Sequence, residues 1–206
     1  MRTDFQNVLV EQDESVVTLT MNRPDMLNAI NTLMLQELTA AVEAAAHDET
    51  IRCVVLAGAG RAFGAGQDLT EFGSTHASGE THIVSEHLAK YHRLILAIRH
   101  MPKPVIAAIQ GVATGITLNI ALACDIRIAA DNARLREGFA LIGLIPDGGG
   151  GYTLPRLVGL GRALEMDLQA SLHLEGQLQE AAYATADHRE AVDGFLHKRA
   201  TKFTGK

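Results

Sequence analysis

Short apolar runs alternate with helical patterns from residue 16 to about residue 165. The runs "VVTLTM", "IRCVVLAGAG", "KPVIAAIQG" and "DIRIAA" are typical of buried strands, and the segments between them carry apolar residues at helical spacing. Because parallel strands need long crossover connections, this alternation predicts an α/β fold with a mostly parallel sheet. The end of the chain is expected to form a helix, a turn and a second helix.

Three local expectations follow from the pattern. The first two apolar runs, around residues 8–21, predict a β-hairpin. Apolar residues recurring from Asn28 to Ala46 predict an amphipathic helix. The polar stretch from Thr70 to Glu86 has no period and is expected to be a mobile loop, followed by a helix over "SEHLAKYHRLILAIRHM".

Composition excludes several classes of function. The net charge is −6, which argues against a basic nucleic-acid-binding face. No apolar run approaches the ~18 residues of a membrane helix, and the acidic N-terminus does not have the pattern of a signal peptide. The two cysteines form no C-x-x-C pair, so we expect free thiols in the cytoplasm. His82, His87 and His92 recur every five residues and share no helix face, so no metal site is expected.

Three glycine-bearing loops follow strands, where parallel sheets bind ligands: "GAGRAFGAGQDL", "GVATGI" and "IPDGGGG". The first does not fit a dinucleotide-binding fingerprint, because Phe63 replaces the third glycine. In the second, Gly115 allows close backbone approach, and the amide of Ile116 opens a helix with an unpaired N–H. Such amides can stabilise an oxyanion. The alternative, a turn that only packs strand against helix, stays open from these residues alone.

Two acids follow the same loops. Asp147 lies between Pro146 and Gly148 at the start of an expected helix, where it could cap the helix or act as a base with a pKa raised by burial. Asp68 is expected to serve as a local cap or turn residue.

Together, four stretches in order resemble the crotonase family, also called the enoyl-CoA hydratase/isomerase family. They are "VVTLTMNRPDMLNAIN", "VVLAGAGRAFGAGQDL", "MPKPVIAAIQGVATGITLNIALACDIRIA" and "IGLIPDGGGGYTLPRLVG". The resemblance implies a spiral of ββα units and a homo-oligomer, either a trimer or a dimer of trimers. It also implies an acyl-CoA thioester substrate, with coenzyme A entering only as part of that substrate and no separate cofactor.

The resemblance also implies roles for individual residues. The backbone amides of Gln67 and Ile116 match the family's oxyanion hole, and Asp147 matches the acid of relatives that lack the hydratase glutamates. Further residues match positions along the bound acyl-CoA: Met26, Leu27, Ala29, Ala65, Asp68, Leu69, Gly115, Asn119, Phe139, Lys198 and Phe203.

Asn119 and Phe139 occupy the positions of the two glutamates with which hydratases of this family activate water. Neither side chain transfers a proton, so an isomerase with a single carboxylate is expected. Within the family, the chain most resembles the 1,2-epoxyphenylacetyl-CoA isomerases of phenylacetate breakdown. A non-catalytic or impaired acyl-CoA binder, a hydratase and a nicotinamide-dependent oxidoreductase are the alternatives.

The chain is shorter than the family pattern. After "LVGLGRALEM" several dozen residues are missing near Met166–Asp167, and the sequence resumes with a part that resembles a much later family segment. We therefore expect a crotonase-like core over residues 1–165, which holds the site, and a shortened C-terminal helical segment over residues 166–206.

Overall fold

The computed structural model describes residues 4–71, 84–158 and 168–205. Its main sheet has five strands in the order β1-β2-β3-β4-β6. The strands β1 and β2 form the expected antiparallel hairpin, and every other pair in this sheet is parallel. Two short parallel strands, β5 and β7, form a second sheet. The strand bounds are β1 Val8–Asp13, β2 Val16–Met21, β3 Cys53–Gly58, β4 Val105–Ile109, β5 Val112–Thr114, β6 Ile126–Ala129 and β7 Arg134–Arg136.

Six α-helices lie within the described residues. They are α1 Thr32–His47, α2 Val84–Arg99, α3 Ile116–Ala123, α4 Gly150–Val158, α5 Leu168–Tyr183 and α6 Ala186–Leu196. Two short 3-10 helices cover Pro24–Met26 and Phe139–Ile142. The mixed α/β class predicted from the sequence is confirmed.

The first helix begins four residues later than predicted. Asn28 adopts a positive φ of 56°, which is incompatible with a helix, and its side chain accepts a hydrogen bond from the Arg23 amide. The helix starts only after Asn31, whose side chain accepts from the Met34 amide as an N-cap. Residues 28–31 therefore form a turn before the helix, although the apolar spacing predicts that they belong to it.

Helix α3 lies inside the molecule. All eight of its residues are buried, including Thr117 and Asn119. This burial explains why the sequence from Gly111 to Cys124 carries no charged residue, since an unpaired charge there would be costly. The helix holds the turn at Gly115 in a fixed position against the core.

The C-terminal helices pack onto the core. Helix α5 contacts α2 and α4, and α6 contacts the 3-10 helix Phe139–Ile142. The expected junction near Met166–Asp167, the 165/166 domain boundary and most of the expected loop from Thr70 to Glu86 lie outside the described residues. None of the described helices is long and apolar enough to cross a membrane.

Candidate active site

A cavity of about 460 Å³ opens where the segments after β3, β5 and β7 meet. The 3-10 helix Phe139–Ile142 and helix α6 complete its wall. It is large enough for the reacting part of a small-molecule substrate. Ten of the residues predicted from the sequence line it: Met26, Ala29, Ala65, Gln67, Asp68, Leu69, Gly115, Ile116, Phe139 and Asp147.

The Gln67 amide is presented to the cavity by a short backbone ladder. Ile30 donates to the Gly66 carbonyl at 2.8 Å, and Asp68 donates to the Ile30 carbonyl at 2.9 Å. In such a parallel pairing the intervening residue directs its N–H to the opposite side. Gln67 therefore keeps its N–H free of the ladder, while its side chain lies 2.6 Å from the His87 ring.

The Ile116 amide is free for a different reason. Gly115 is the N-cap of α3, with a φ of 55° that favours glycine, and Ile116 is the first helical residue. The amides of a helix's first turn have no intrahelical acceptor. Among the described residues, neither Ile116 nor Gln67 has an acceptor for its N–H. Two donors in one cavity can stabilise a negatively charged oxygen.

Asp147 provides a carboxyl group at the same cavity. Its side chain is buried, and its Oδ1 has no hydrogen-bond partner within the described residues. Burial, with the nearby Glu175 and Glu137 carboxyls, holds the pKa of Asp147 well above its usual range. A carboxyl group with a raised pKa is suited to general acid–base chemistry near neutral pH.

Asn119 lies behind the cavity wall rather than on it. Its Nδ2 donates to the Asp147 carbonyl at 2.7 Å and lies 3.3 Å from Glu137 Oε2. A Cβ at Gly150 would lie 2.5 Å from this Nδ2, so the glycine run lets the Asp147 loop pack directly on α3. Asn119 thus fixes the backbone that carries Asp147.

Asp68 has the local role expected of it. Its carboxylate accepts from the Thr70 amide and hydroxyl, and from Arg23 at 2.9 Å. Burial opposes ionisation of Asp68, but the bonds from Thr70 and Arg23 outweigh it and the net effect lowers its pKa. Asp68 therefore stays charged and braces the loop next to Gln67.

Four residues expected along the substrate do not line this cavity: Leu27, Asn119, Lys198 and Phe203. The Leu27 carbonyl accepts from the Ala65 amide and so supports the wall from behind. The segment after α6 folds back, because the amides of Thr204 and Gly205 donate to Asp187. Phe203 consequently lines a separate, smaller cavity.

Sequence reasoning missed three polar residues around Asp147. Glu137 lines the cavity two positions before Phe139, and burial raises its pKa. His188 reaches the cavity from α6, with its Nδ1 2.9 Å from the Ile142 carbonyl. Glu175 reaches the Asp147 loop from α5. Of the three, only Glu137 could have been inferred from the sequence, since it lies two positions before Phe139, which the resemblance places along the substrate.

Comparison with known proteins establishes the family. The family model described as enoyl-CoA hydratase/isomerase matches residues 11–172. The chain belongs to the enoyl-CoA hydratase/isomerase family. It is thus an enzyme of the crotonase family, as its four sequence stretches predicted, and residues of all four stretches line the cavity.

Two full-length relatives illustrate the range of names within this family. The chain is 33% identical to a probable enoyl-CoA hydratase of Rhodobacter capsulatus, over 98% of this chain and 99% of that protein. It is 32% identical to the 1,2-epoxyphenylacetyl-CoA isomerase of Escherichia coli K12, over 97% and 98%. The first alignment extends over 261 positions, whereas this chain has 206 residues, so part of that relative has no counterpart here.

A solved structure confirms the crotonase fold. The enoyl-CoA hydratase/isomerase of Pseudoalteromonas atlantica superposes with a TM-score of 0.80 at 26% identity, covering 97% of this chain and all of that one. The predicted spiral of ββα units is therefore the fold of this enzyme.

Proposed function

We propose that this enzyme is an acyl-CoA isomerase in which Asp147 is the single proton-transferring group. The two free amides of Gln67 and Ile116 would hold the thioester oxygen of the substrate. In the expected reaction, a 3-enoyl-CoA becomes the conjugated 2-enoyl-CoA.

The proton balance needs only one carboxylate. Asp147 takes a proton from carbon 2, the electron pair of that C–H bond forms a double bond between carbons 1 and 2, and the carbonyl pair moves onto the thioester oxygen, where the two amides stabilise the negative charge. The same carboxyl then returns the proton to carbon 4: the thioester carbonyl re-forms, the electron pair between carbons 1 and 2 becomes the double bond between carbons 2 and 3, and the pair of the old double bond between carbons 3 and 4 binds the proton. No water enters the product.

One observation carries this proposal: a buried carboxyl shares a cavity with two free amides. The resemblance supports it, because it matches Asn119 and Phe139 to the two glutamate positions of the family's hydratases. Asn119 has no proton to exchange and is engaged with the Asp147 carbonyl. Phe139 gives the cavity an apolar wall. This arrangement favours proton transfer within the substrate over activation of water.

The deciding experiment measures conversion of a 3-enoyl-CoA to the 2-enoyl-CoA by the absorbance of the conjugated thioester. Asp147→Asn keeps the shape of the side chain and removes the base, so turnover should fall by about 10²–10⁴-fold. Binding of a saturated acyl-CoA, measured by calorimetry, should survive. Asp131→Asn, on the exposed surface, is the matched control and should leave turnover unchanged.

Two results would contradict the proposal. Turnover that survives Asp147→Asn would assign the base to another residue. Binding of acyl-CoA without turnover in the unaltered enzyme would favour the alternative of a non-catalytic or impaired acyl-CoA binder. In that second case 1,2-epoxyphenylacetyl-CoA is the next substrate to test, with opening of the ring epoxide to the oxepin as the product.

Hydration is a second candidate because Glu137 adds another carboxyl to the cavity wall. Two carboxyl groups could position and activate a water molecule. Glu137→Gln separates the candidates, since it should abolish hydration of a 2-enoyl-CoA and leave the double-bond shift measurable.

The wider assignments remain proposals of the same kind. We propose coenzyme A as part of the substrate with no separate cofactor, a homo-oligomer of three or six chains, and a cytoplasmic location. Roles in fatty-acid or phenylacetate breakdown would follow from which acyl group the enzyme prefers.

A further inference from the structure

Three carboxyl groups lie close enough to influence one another at this site: Asp147, Glu137 and Glu175, hereafter the carboxyl cluster. Only Asp147 and Glu137 line the cavity. Glu175 lies behind the Asp147 loop, on helix α5, and is 5% exposed. Since Glu175 does not reach the substrate space, its effect on chemistry has to pass through Asp147.

Glu175 is held by the backbone of the loop that carries Asp147. Its Oε2 accepts from the Gly149 amide at 2.9 Å, and a bond from the Gly151 amide further favours its charged form. One turn along α5, Gln179 accepts from the Ile145 amide at 3.2 Å. The same face of α5 therefore accepts hydrogen bonds from the loop on both sides of Asp147.

Hydrogen bonding decides where a negative charge can rest in this cluster. One oxygen of each carboxyl, Oδ1 of Asp147 and Oε1 of Glu175, has no partner within the described residues. Glu175 is favoured in its charged form by two backbone amides of the loop, those of Gly149 and Gly151, whereas Asp147 is helped by the Gln179 side chain and by a backbone bond within its own residue. Backbone N–H groups fixed in the loop stabilise an ionised carboxylate, so they favour the charge on Glu175. The first charge to form therefore belongs on Glu175, and its presence opposes ionisation of Asp147.

We propose that Glu175 is a positioning residue that holds the negative charge of the carboxyl cluster and thereby sets the pH range in which Asp147 acts as a base. This inference rests on the proposed role of Asp147. It agrees with burial raising the pKa of Glu175 to about 7, and with burial and then the Glu175 charge raising the pKa of Asp147 well above its usual range.

The ionisable side chains of α2 nearest the cluster, His92 and Tyr91, do not neutralise this charge. From α2, His92 Nε2 lies 4.0 Å from Glu175 Oε2, but burial lowers the pKa of His92 to about 4, so the ring is uncharged near neutral pH. Tyr91 of α2 is buried, with a pKa raised well above its usual range by burial and then by Asp147. From α6, His188 reaches the cavity wall.

The test is the pH profile of kcat/KM for the double-bond shift in the enzyme and in Glu175→Gln. Glutamine preserves the shape and can still accept from the Gly149 amide, but it carries no charge. We expect the acid limb of the profile to move down by about one pH unit, which is about a tenfold gain on that limb relative to the plateau. Loss of activity by the same factor at every pH would overturn the proposal, because it would indicate a merely structural role.

An infrared titration reads the same effect without turnover. The carbonyl stretch of a protonated carboxyl that is lost in Asp147→Asn reports the protonation of Asp147. We expect this band to titrate well above the usual range of an aspartate in the unaltered enzyme, and at lower pH in Glu175→Gln. A midpoint in the usual range, or a midpoint that does not change in the variant, would overturn the inference.

The two measurements keep the two proposals apart. If the enzyme turns over no 3-enoyl-CoA, the proposed function fails, while the infrared midpoints still decide the role of Glu175. Even if Glu175→Gln does not fold, comparison of the unaltered enzyme with Asp147→Asn gives the pH at which Asp147 titrates, and a value in the usual range of an aspartate would overturn the inference. Glu180→Gln, an exposed change on the same helix, is the matched control and should alter neither the profile nor the band.

Discussion

Gly150 shows how one missing side chain shapes the site. A Cβ at this position would lie 2.5 to 2.9 Å from three atoms of the Asn119 amide group. That amide group cannot move freely, because its Nδ2 donates to the Asp147 carbonyl within the buried interior. A side chain at Gly150 would therefore separate the Asp147 loop from α3.

We expect Gly150→Ala to destabilise the protein by about 1–3 kcal/mol, as overpacking of a core does, and to lower isomerase turnover by displacing Asp147. Urea unfolding and the 3-enoyl-CoA assay measure the two effects. Gly151→Ala is a close control in the same helix, because its Cβ would meet only Glu175 Oε1 at 3.7 Å. Equal losses in both variants would refute the packing argument.

Individual residues also show what the sequence could predict. The amides of Gln67 and Ile116 and the carboxyl of Asp147 follow strands or begin helices, and such positions can be inferred locally. The position of Glu175 could not, because it depends on how α5 packs against a loop 26 residues earlier. The resemblance places Asn119 along the substrate, whereas in the structure its Nδ2 donates to the Asp147 carbonyl.

At the scale of the elements, helix α5 makes the free energy of unfolding depend on pH, because it carries the buried carboxyl of Glu175. The pKa of Glu175 rises from 4.5 to about 7 on folding, so the folded protein binds its proton more tightly than the unfolded chain does. The stability gained from this proton is full below about pH 4.5 and is lost as pH rises through 7. Burial of His92 lowers its pKa from 6.5 to about 4, so its effect on stability is opposite: stability is lost as pH falls from 6.5 to about 4.

Comparison of two variants isolates the Glu175 contribution from that of His92. We expect Glu175→Gln to be more stable than the unaltered protein at pH 8 by up to roughly 3 kcal/mol, since each unit of pKa shift corresponds to about 1.4 kcal/mol. The difference should shrink towards pH 4.5. Urea unfolding at both pH values checks this, and a difference independent of pH would exclude linkage to Glu175.

At the scale of the whole molecule, residues from early and late parts of the chain line the same cavity. Met26 and Ala29 come from the segment before α1, whereas His188 and Phe195 come from α6. A ligand that fills the cavity therefore touches elements more than 150 residues apart in sequence. The resemblance located the first part, but the placement of α6 over the 3-10 helix depends on tertiary packing that no local pattern encodes.

We expect a saturated acyl-CoA to slow amide hydrogen exchange in α6, because binding stabilises the folded arrangement of the residues it contacts. Helix α1 is the internal reference, since none of its residues lines the cavity. Exchange followed by mass spectrometry would show protection of Ala186–Leu196 above that of Thr32–His47. Equal change in both helices would mean that α6 does not cover the ligand.

The two amide donors have a consequence for how such a protein can diverge. A backbone N–H survives every substitution except proline, so replacing Gln67 or Ile116 by almost any residue leaves the donor itself in place. The Asp147 carboxyl, by contrast, is lost by a single nucleotide change in its codon. Descendants of this gene can therefore change or lose the proton-transferring side chain, and with it the reaction, while they keep the two amides that bind a carbonyl oxygen.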